Sequence, residues 1–129
     1  MFKLSQGEYV APEKLETSLV ASRFVEQICV LGNSLESYLV AILVPRRDTL
    51  IEYYKQKGIT VNKQNLVEHY KDPELIKDIL KDLEKIGREH DFKGFEIIRK
   101  LYLSEQKFTI DNELLTPTMK NKRNNIQRK

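Results

Sequence analysis

The apolar positions of this 129-residue chain fall into short runs that change period along its length. Residues 2–10 read as two short extended pieces around Ser5-Gln6-Gly7, where glycine takes a positive φ without steric cost. Ala11-Pro12-Glu13 opens a helix, since proline is tolerated at the first helical position and an acid suits the positive end. Leu15, Leu19 and Val20 give it an apolar face through about Ala21. Phe24 to Leu31 reads as a strand, Gly32-Asn33-Ser34 as a turn, and Tyr38 to Val44 as a second strand. The second run is almost continuously apolar and rich in β-branched residues, the mark of a central strand covered on both faces. Pro45 ends the expected hairpin, because proline donates nothing to a ladder.

Helical spacing takes over beyond Pro45. Asp48 is read as the cap of a helix to about Lys57, with Leu50, Ile51 and Tyr54 inward and Gly58 as its stop. Asn62 is read as capping a short helix to about Tyr70. Asp72-Pro73-Glu74 is the clearest helix start: cap, proline, acid. Leu75, Ile76, Ile79, Leu80, Leu83 and Ile86 follow as one apolar stripe, ending near His90. Asp91 to Gly94 reads as a loop and Glu96 to Leu103 as a third main strand. Residues 104–117 look irregular, with a last helix starting near Thr118. The expected fold class is α+β, a small mixed sheet of about three main strands plus an N-terminal hairpin, flanked by helices.

Composition changes this picture little. Hydrophobic residues make up 40% and charged residues 32%, as in a soluble globular domain. The longest apolar run is far short of a membrane span, and no secretory signal is visible. The single Cys29 excludes an internal disulfide and suits a reducing, intracellular setting. The net charge of +3 is uneven: residues 118–129 hold Lys120, Lys122, Arg123, Arg128 and Lys129 with no acid. The remainder is close to neutral. A basic tail attracts phosphate-bearing partners or simply stays solvated.

No self-sufficient catalytic set appears. His69 and His90 lie in charged helical stretches with no cysteine partner for a metal, and read as exposed or capping side chains. Cys29, among apolar neighbours in a strand, reads as buried and structural. Ser22 and Ser104 have no visible base. Tyr53, Tyr54 and Tyr70 read as core or rim packing. With five glycines, there is no phosphate-cradling loop.

Two end segments carry more. One is Phe2-Lys3-Leu4-Ser5-Gln6-Gly7-Glu8-Tyr9-Val10-Ala11-Pro12-Glu13-Lys14-Leu15-Glu16. The other is Thr109-Ile110-Asp111-Asn112-Glu113-Leu114-Leu115-Thr116-Pro117-Thr118-Met119-Lys120-Asn121-Lys122-Arg123. Together they resemble the C-terminal domain of long-chain acyl-CoA synthetases in the adenylate-forming superfamily. Val40 to Pro45 resembles that family's central strand, so the resemblance spans essentially the whole chain. Glu113 departs from it, standing where the family usually has glycine.

The resemblance implies that residues 1–129 form one domain, the C-terminal lid of a larger ligase. The parent would activate a fatty acid with ATP to acyl-AMP and pass the acyl group to CoA, with Mg2+ on the phosphates. Aligning Leu115 and Thr118 with the superfamily pattern puts the catalytic lysine on Lys122, with Lys120 the alternative. The hairpin at residues 2–10 would face CoA or nucleotide after domain rotation, through Gly7, Lys3, Glu8 and Tyr9. The partner is an N-terminal adenylation domain, and the lid alone is expected to be inactive and to hold no ligand stably. Met1 stands where the family has an ordinary apolar residue just beyond the hinge, which implies a truncated start. The family leaves room for membrane attachment of the parent and gives no reason to expect nucleic acid. The competing reading from the residues alone is a non-enzymatic module whose basic tail contacts nucleic acid or an acidic partner.

Overall fold

The computed structural model describes residues 2–117 and 120–128, the side chain of Arg128 excepted. The expectations placed on Met1 and on a helix start at Thr118 lie outside these residues. The chain opens with a two-stranded antiparallel ribbon, β1 (Phe2–Lys3) and β2 (Tyr9–Val10), with Phe2 opposite Val10 and Lys3 opposite Tyr9. Helix α1 (Pro12–Leu19) follows, with proline in its first turn as read. Strands β3 (Val25–Leu31) and β4 (Leu39–Pro45) pair antiparallel. Helix α2 (Arg47–Gln56) and helix α3 (Pro73–Glu89) come next. They lead to β5 (Ile98–Leu103), which pairs parallel to β4. A six-residue helix α4 (Arg123–Arg128) closes the described chain.

The strand order β3-β4-β5 makes β4 central and the sheet mixed, as the apolar run predicts. Alternation sends β4 side chains to two different cores. Leu39, Ala41 and Leu43 join Leu15, Leu19, Leu50, Tyr54, Leu75, Ile79 and Leu83 beneath α1, α2 and α3. Val44, with Val40 and Ile42 packed alongside, belongs to a second cluster of Cys29, Leu31, Phe108, Leu114, Leu115 and Ile126. The second face of the sheet is therefore covered by the stretch that sequence alone reads as irregular, together with Ile126 of α4.

Several local readings change. Asp48 does not cap α2; Arg46 occupies the cap position with no side-chain cap bond. The Arg46 N–H donates to Phe24 O at 2.9 Å, and its Nε to Val25 O at 2.9 Å. This tertiary anchoring starts the helix two residues early and leaves Asp48 in the first turn, where its charge still suits the dipole. Tyr53 rather than Ile51 is fully inward. Gly58 does end the helix, with φ +80°. The side chain of Asn62 accepts from Gln64 N and Asn65 N at 3.0 Å, an Asx turn that delays helix to a short 3-10 segment at Leu66–His69. Glu96 belongs to a 3-10 turn, Gly94–Glu96, so the third main strand begins at Ile98.

The isolated polar side chains also find places. His69 is half-buried, its ring 4.6 Å from that of Tyr54, whereas His90 is exposed at the C-cap of α3. Ser22 is buried, and its hydroxyl donates to Asp82 Oδ2 at 2.6 Å while accepting from Phe24 N. That serine has a carboxylate partner after all, 60 residues away in sequence, in a structural role.

Candidate active-site segments

The hairpin is built around Gly7. Leu4 N donates to Glu8 O at 2.8 Å and Gly7 N to Leu4 O at 2.9 Å, closing a turn in which Gly7 takes φ +88°. A side chain is disfavoured there by backbone conformation alone, since an added Cβ would meet nothing within 4 Å. The turn is moored by Ser5 N to Glu36 O at 2.9 Å and Gln6 Nε2 to Ser37 O at 3.2 Å. Buried Leu4 and Val10 anchor the ribbon in the larger core, leaving Lys3, Glu8 and Tyr9 exposed. Lys3 Nζ lies 5.7 Å from the Tyr9 ring centroid. Lys3 and Tyr9 pair across the ribbon beside the turn that holds Gly7 and Glu8, and all four are accessible.

The lysine segment is attached along the outer edge of β3, the edge that β4 leaves unpaired. Gln27 grips Phe108 through both backbone groups: Phe108 N donates to Gln27 Oε1 at 2.7 Å, and Gln27 Nε2 to Phe108 O at 2.8 Å. The chain then folds back, with Leu115 and Asn121 forming an antiparallel bridge. Lys122 N donates to Leu114 O at 2.8 Å and Thr116 N to Lys120 O at 2.7 Å. Glu113, the departure from the family glycine, has φ +63°. The loop keeps a left-handed residue at this position.

Residues on either side of Lys122 hold the strand edge. Asn121 Nδ2 donates to Ile28 O at 2.9 Å. Arg123 Nη1 donates to Val30 O at 3.3 Å, and both its terminal nitrogens pair with Glu16 of α1, Nη2 to Oε1 at 2.9 Å and Nη1 to Oε2. Glu16 Oε2 also accepts from Val30 N at 2.7 Å. Both exposed-edge groups of Val30 are thereby satisfied, which also blunts an edge open to pairing with another chain. Burial opposes the charge of Arg123, but its bonds to Glu16 outweigh that cost and hold the guanidinium protonated.

Cys29 lies beside this pair, its Sγ 3.5 Å from Arg123 Nη1. Burial pushes its thiol up to about 11 despite the neighbouring guanidinium. It is a free, buried cysteine, as read from sequence, and too protonated near neutrality to act as a nucleophile.

Lys122 is half-buried and its ammonium has no ion-pair or hydrogen-bond partner among the described residues, whereas Lys120 is exposed. No hydrogen bond or ion pair links hairpin residues 2–10 to residues 107–128 among those described. The two segments are separate surfaces of one fold. Sequence reasoning overlooked Glu16, Gln27 and Asn121 as anchors. The only available signal was that Glu16 and Arg123, of opposite charge, lie inside the two matched segments. Among the described residues no group of three or more His, Cys, Asp or Glu side chains is placed to hold a metal, and no helix is long and apolar enough to cross a membrane.

Comparison with known proteins shows what the chain is similar to. No protein-family model matches the chain. Long-chain-fatty-acid–CoA ligase 1 of Cavia porcellus is 42% identical over 123 residues, covering 95% of this chain and 17% of that protein. Ligase 5 of Mus musculus is 43% identical over 124 residues, covering 95% of this chain and 18% of that protein. The chain is homologous to a segment of the long-chain-fatty-acid–CoA ligases. Fatty acyl-CoA synthetase B of Dictyostelium discoideum, 39% identical over 128 residues, covers 99% of the chain and 19% of its own length. This ligase-related chain therefore spans less than a fifth of the length of these relatives.

Solved structures agree. The A-PCP didomain of a carboxylic acid reductase from Segniliparus rugosus, in complex with AMP, superposes with a TM-score of 0.78 at 33% identity. The match covers 98% of this chain and 16% of that one. The adenylation domain of a carboxylate reductase from Mycobacterium chelonae gives 0.78 at 30% identity, over 98% and 17%. These are adenylation domains, and the mixed α+β arrangement is common to them and this chain.

Proposed function

We propose that the chain is the C-terminal lid of a long-chain fatty-acid–CoA ligase and that Lys122 serves its adenylation step. The observation that carries this reading is the ammonium of Lys122, unpaired among the described residues, between two neighbours, Asn121 and Arg123, whose side chains are fixed to β3. In adenylation the fatty-acid carboxylate attacks the α-phosphate of ATP and pyrophosphate leaves. Two anions must approach each other. A lysine ammonium held between them lowers that repulsion and stabilises charge in the transition state. Anchored neighbours limit where the lysine backbone can be, so less orientation is left to chance. The ATP phosphates with their Mg2+, the adenine pocket and the acyl tunnel are assigned to the larger N-terminal part of the parent.

The hairpin is assigned to the second half-reaction, in which the CoA thiol attacks the acyl carbon and AMP leaves. The open side of Gly7 suits close approach of the pantetheine arm, with Lys3, Glu8 and Tyr9 around it. A rigid-body rotation about the interdomain hinge would exchange the two segments at one active site. The isolated lid is expected to bind ATP or CoA weakly and to catalyse neither step. A nucleic-acid role for the basic tail is disfavoured by the engagement of Arg123 with Glu16.

The test uses the full-length ligase containing this chain. Lys122→Ala is expected to lower adenylation, followed by pyrophosphate exchange, by about 10²–10³-fold. Thioester formation from supplied acyl-adenylate should largely survive. Equal loss in both half-reactions would remove the role given to Lys122. A selective adenylation loss in Lys120→Ala instead would move the role to Lys120.

A further inference from the structure

We propose that Glu16 and Arg123 are positioning residues for adenylation: their ion pair places Lys122 for the first half-reaction and is dispensable for the second. The inference rests on the assignment of Lys122 above. The pair joins α1 to the residue immediately after that lysine, across 107 positions of sequence. Its geometry is fork to carboxylate, which constrains orientation as well as distance. The side chains are only 18% and 12% exposed, so solvent competes weakly for either charge. Glu16 is itself held, because its Oε2 accepts from Val30 N at 2.7 Å. Arg123 therefore docks on a carboxylate fixed by both a helix and a strand.

Asn121 makes the matching attachment on the other side, to Ile28 O. Ile28 and Val30 are two residues apart on one strand edge, so the pair of grips sets the direction of the backbone through Lys122 as well as its position. Lys122 N to Leu114 O adds a third fixed point. A side-chain ammonium reaching a shared oxyanion is sensitive to small errors, since misplacement by about 1 Å can cost on the order of 10²-fold. The hairpin tip makes no bond to this network. Loosening it should leave thioester formation alone.

The experiment measures both half-reactions and thermal unfolding in the full-length ligase for Glu16→Gln, Arg123→Gln, the double variant and Arg123→Lys. Glutamine at 16 keeps an acceptor for Val30 N while removing the charge. Each single glutamine variant should lower kcat for adenylation at least tenfold, with KM for ATP and thioester formation changed by less than twofold. The double variant should be no worse than the poorer single one, and Arg123→Lys should recover part of the rate. The proposal is overturned by unchanged adenylation in the single variants or by losses that multiply in the double. It is equally overturned if both half-reactions decline together with the melting temperature. Lys122→Ala in the same series separates the two levels. If it abolishes adenylation while Glu16→Gln does not, only the positioning role fails; if Lys122→Ala spares adenylation, the lysine assignment fails and takes the positioning role with it.

Discussion

Glu113 occupies a conformation that costs an L-residue about 1–2 kcal/mol relative to the right-handed region. Its φ is +63° in a loop whose carbonyl accepts from Asn125 Nδ2 at 2.7 Å. The turn is held by backbone bonds from Glu113, Leu114 and Leu115 to Ile110 and Thr109, none of which needs the Glu113 side chain. Glu113→Gly should therefore retain the loop and relieve the strain, offset in part by the greater freedom of glycine in the unfolded chain. The expected result is a gain of about 0.5–1 kcal/mol in stability, read as a higher urea midpoint at unchanged slope. A loss of stability would mean that the exposed carboxylate makes a contribution the geometry does not reveal. The residue type stood out in the sequence as a departure from glycine. Its dihedral was not legible there, because the conformation is imposed by the fold-back onto β3.

Among the elements, α3 is legible in the sequence almost to the residue. The Asp72-Pro73-Glu74 signal is local, and the structure uses it locally: Asp72 Oδ1 accepts from Glu74 N at 3.0 Å. The other carboxylate oxygen accepts from Tyr54 Oη at 2.8 Å, tying the cap to α2. The bond from Tyr54, joined by the backbone bonds of the cap, holds the Asp72 carboxyl below its ordinary value. A carboxyl whose folded value is depressed binds its proton first in the unfolded state. Its contribution to stability is present above the unfolded value of about 3.9 and is lost as pH falls through the folded value. Asp72→Ala should cost about 1–2 kcal/mol at pH 7. The difference from the unsubstituted chain should shrink below about pH 4, measured by urea unfolding at each pH. A deficit that stays constant with pH would show that packing, not the ionised cap, is what was removed. The start of α2 departs from its local pattern for the complementary reason. Arg46 is fixed by Phe24 and Val25, partners more than twenty residues away that no local pattern announces. The pairing of Ser22 with Asp82 escaped for the same reason.

On the scale of the whole molecule, the sheet has two cores of unequal size, and the lysine segment is the lid of the smaller one. Apolar alternation in β4 announced two covered faces but could not say what covers the second, because residues 104–122 carry no helical or strand period. What they carry is scattered apolar anchors, Phe108, Leu114 and Leu115, joined by side-chain grips on β3, and Ile126 of α4 completes the cover. The rotation proposed above requires this segment to stay seated, and Cys29 reports whether it does. The thiol is fully buried under the segment, and burial pushes it up to about 11. A free cysteine near 8.5 would have a thiolate population at pH 8 roughly a few hundredfold larger. Labelling of Cys29 by a disulfide reagent should thus be very slow in the folded chain. Ile126→Ala, expected to cost about 2–4 kcal/mol by emptying part of the small core, should accelerate it strongly. Ile79→Ala empties space on the opposite face, in the larger core. At a matched loss of global stability it should accelerate labelling less, because the segment over Cys29 stays in place and only global opening exposes the thiol. If both variants label at the rate set by global unfolding alone, the segment does not open separately from the rest. The lysine, its anchors and the hairpin would then move only as parts of one cooperative unit.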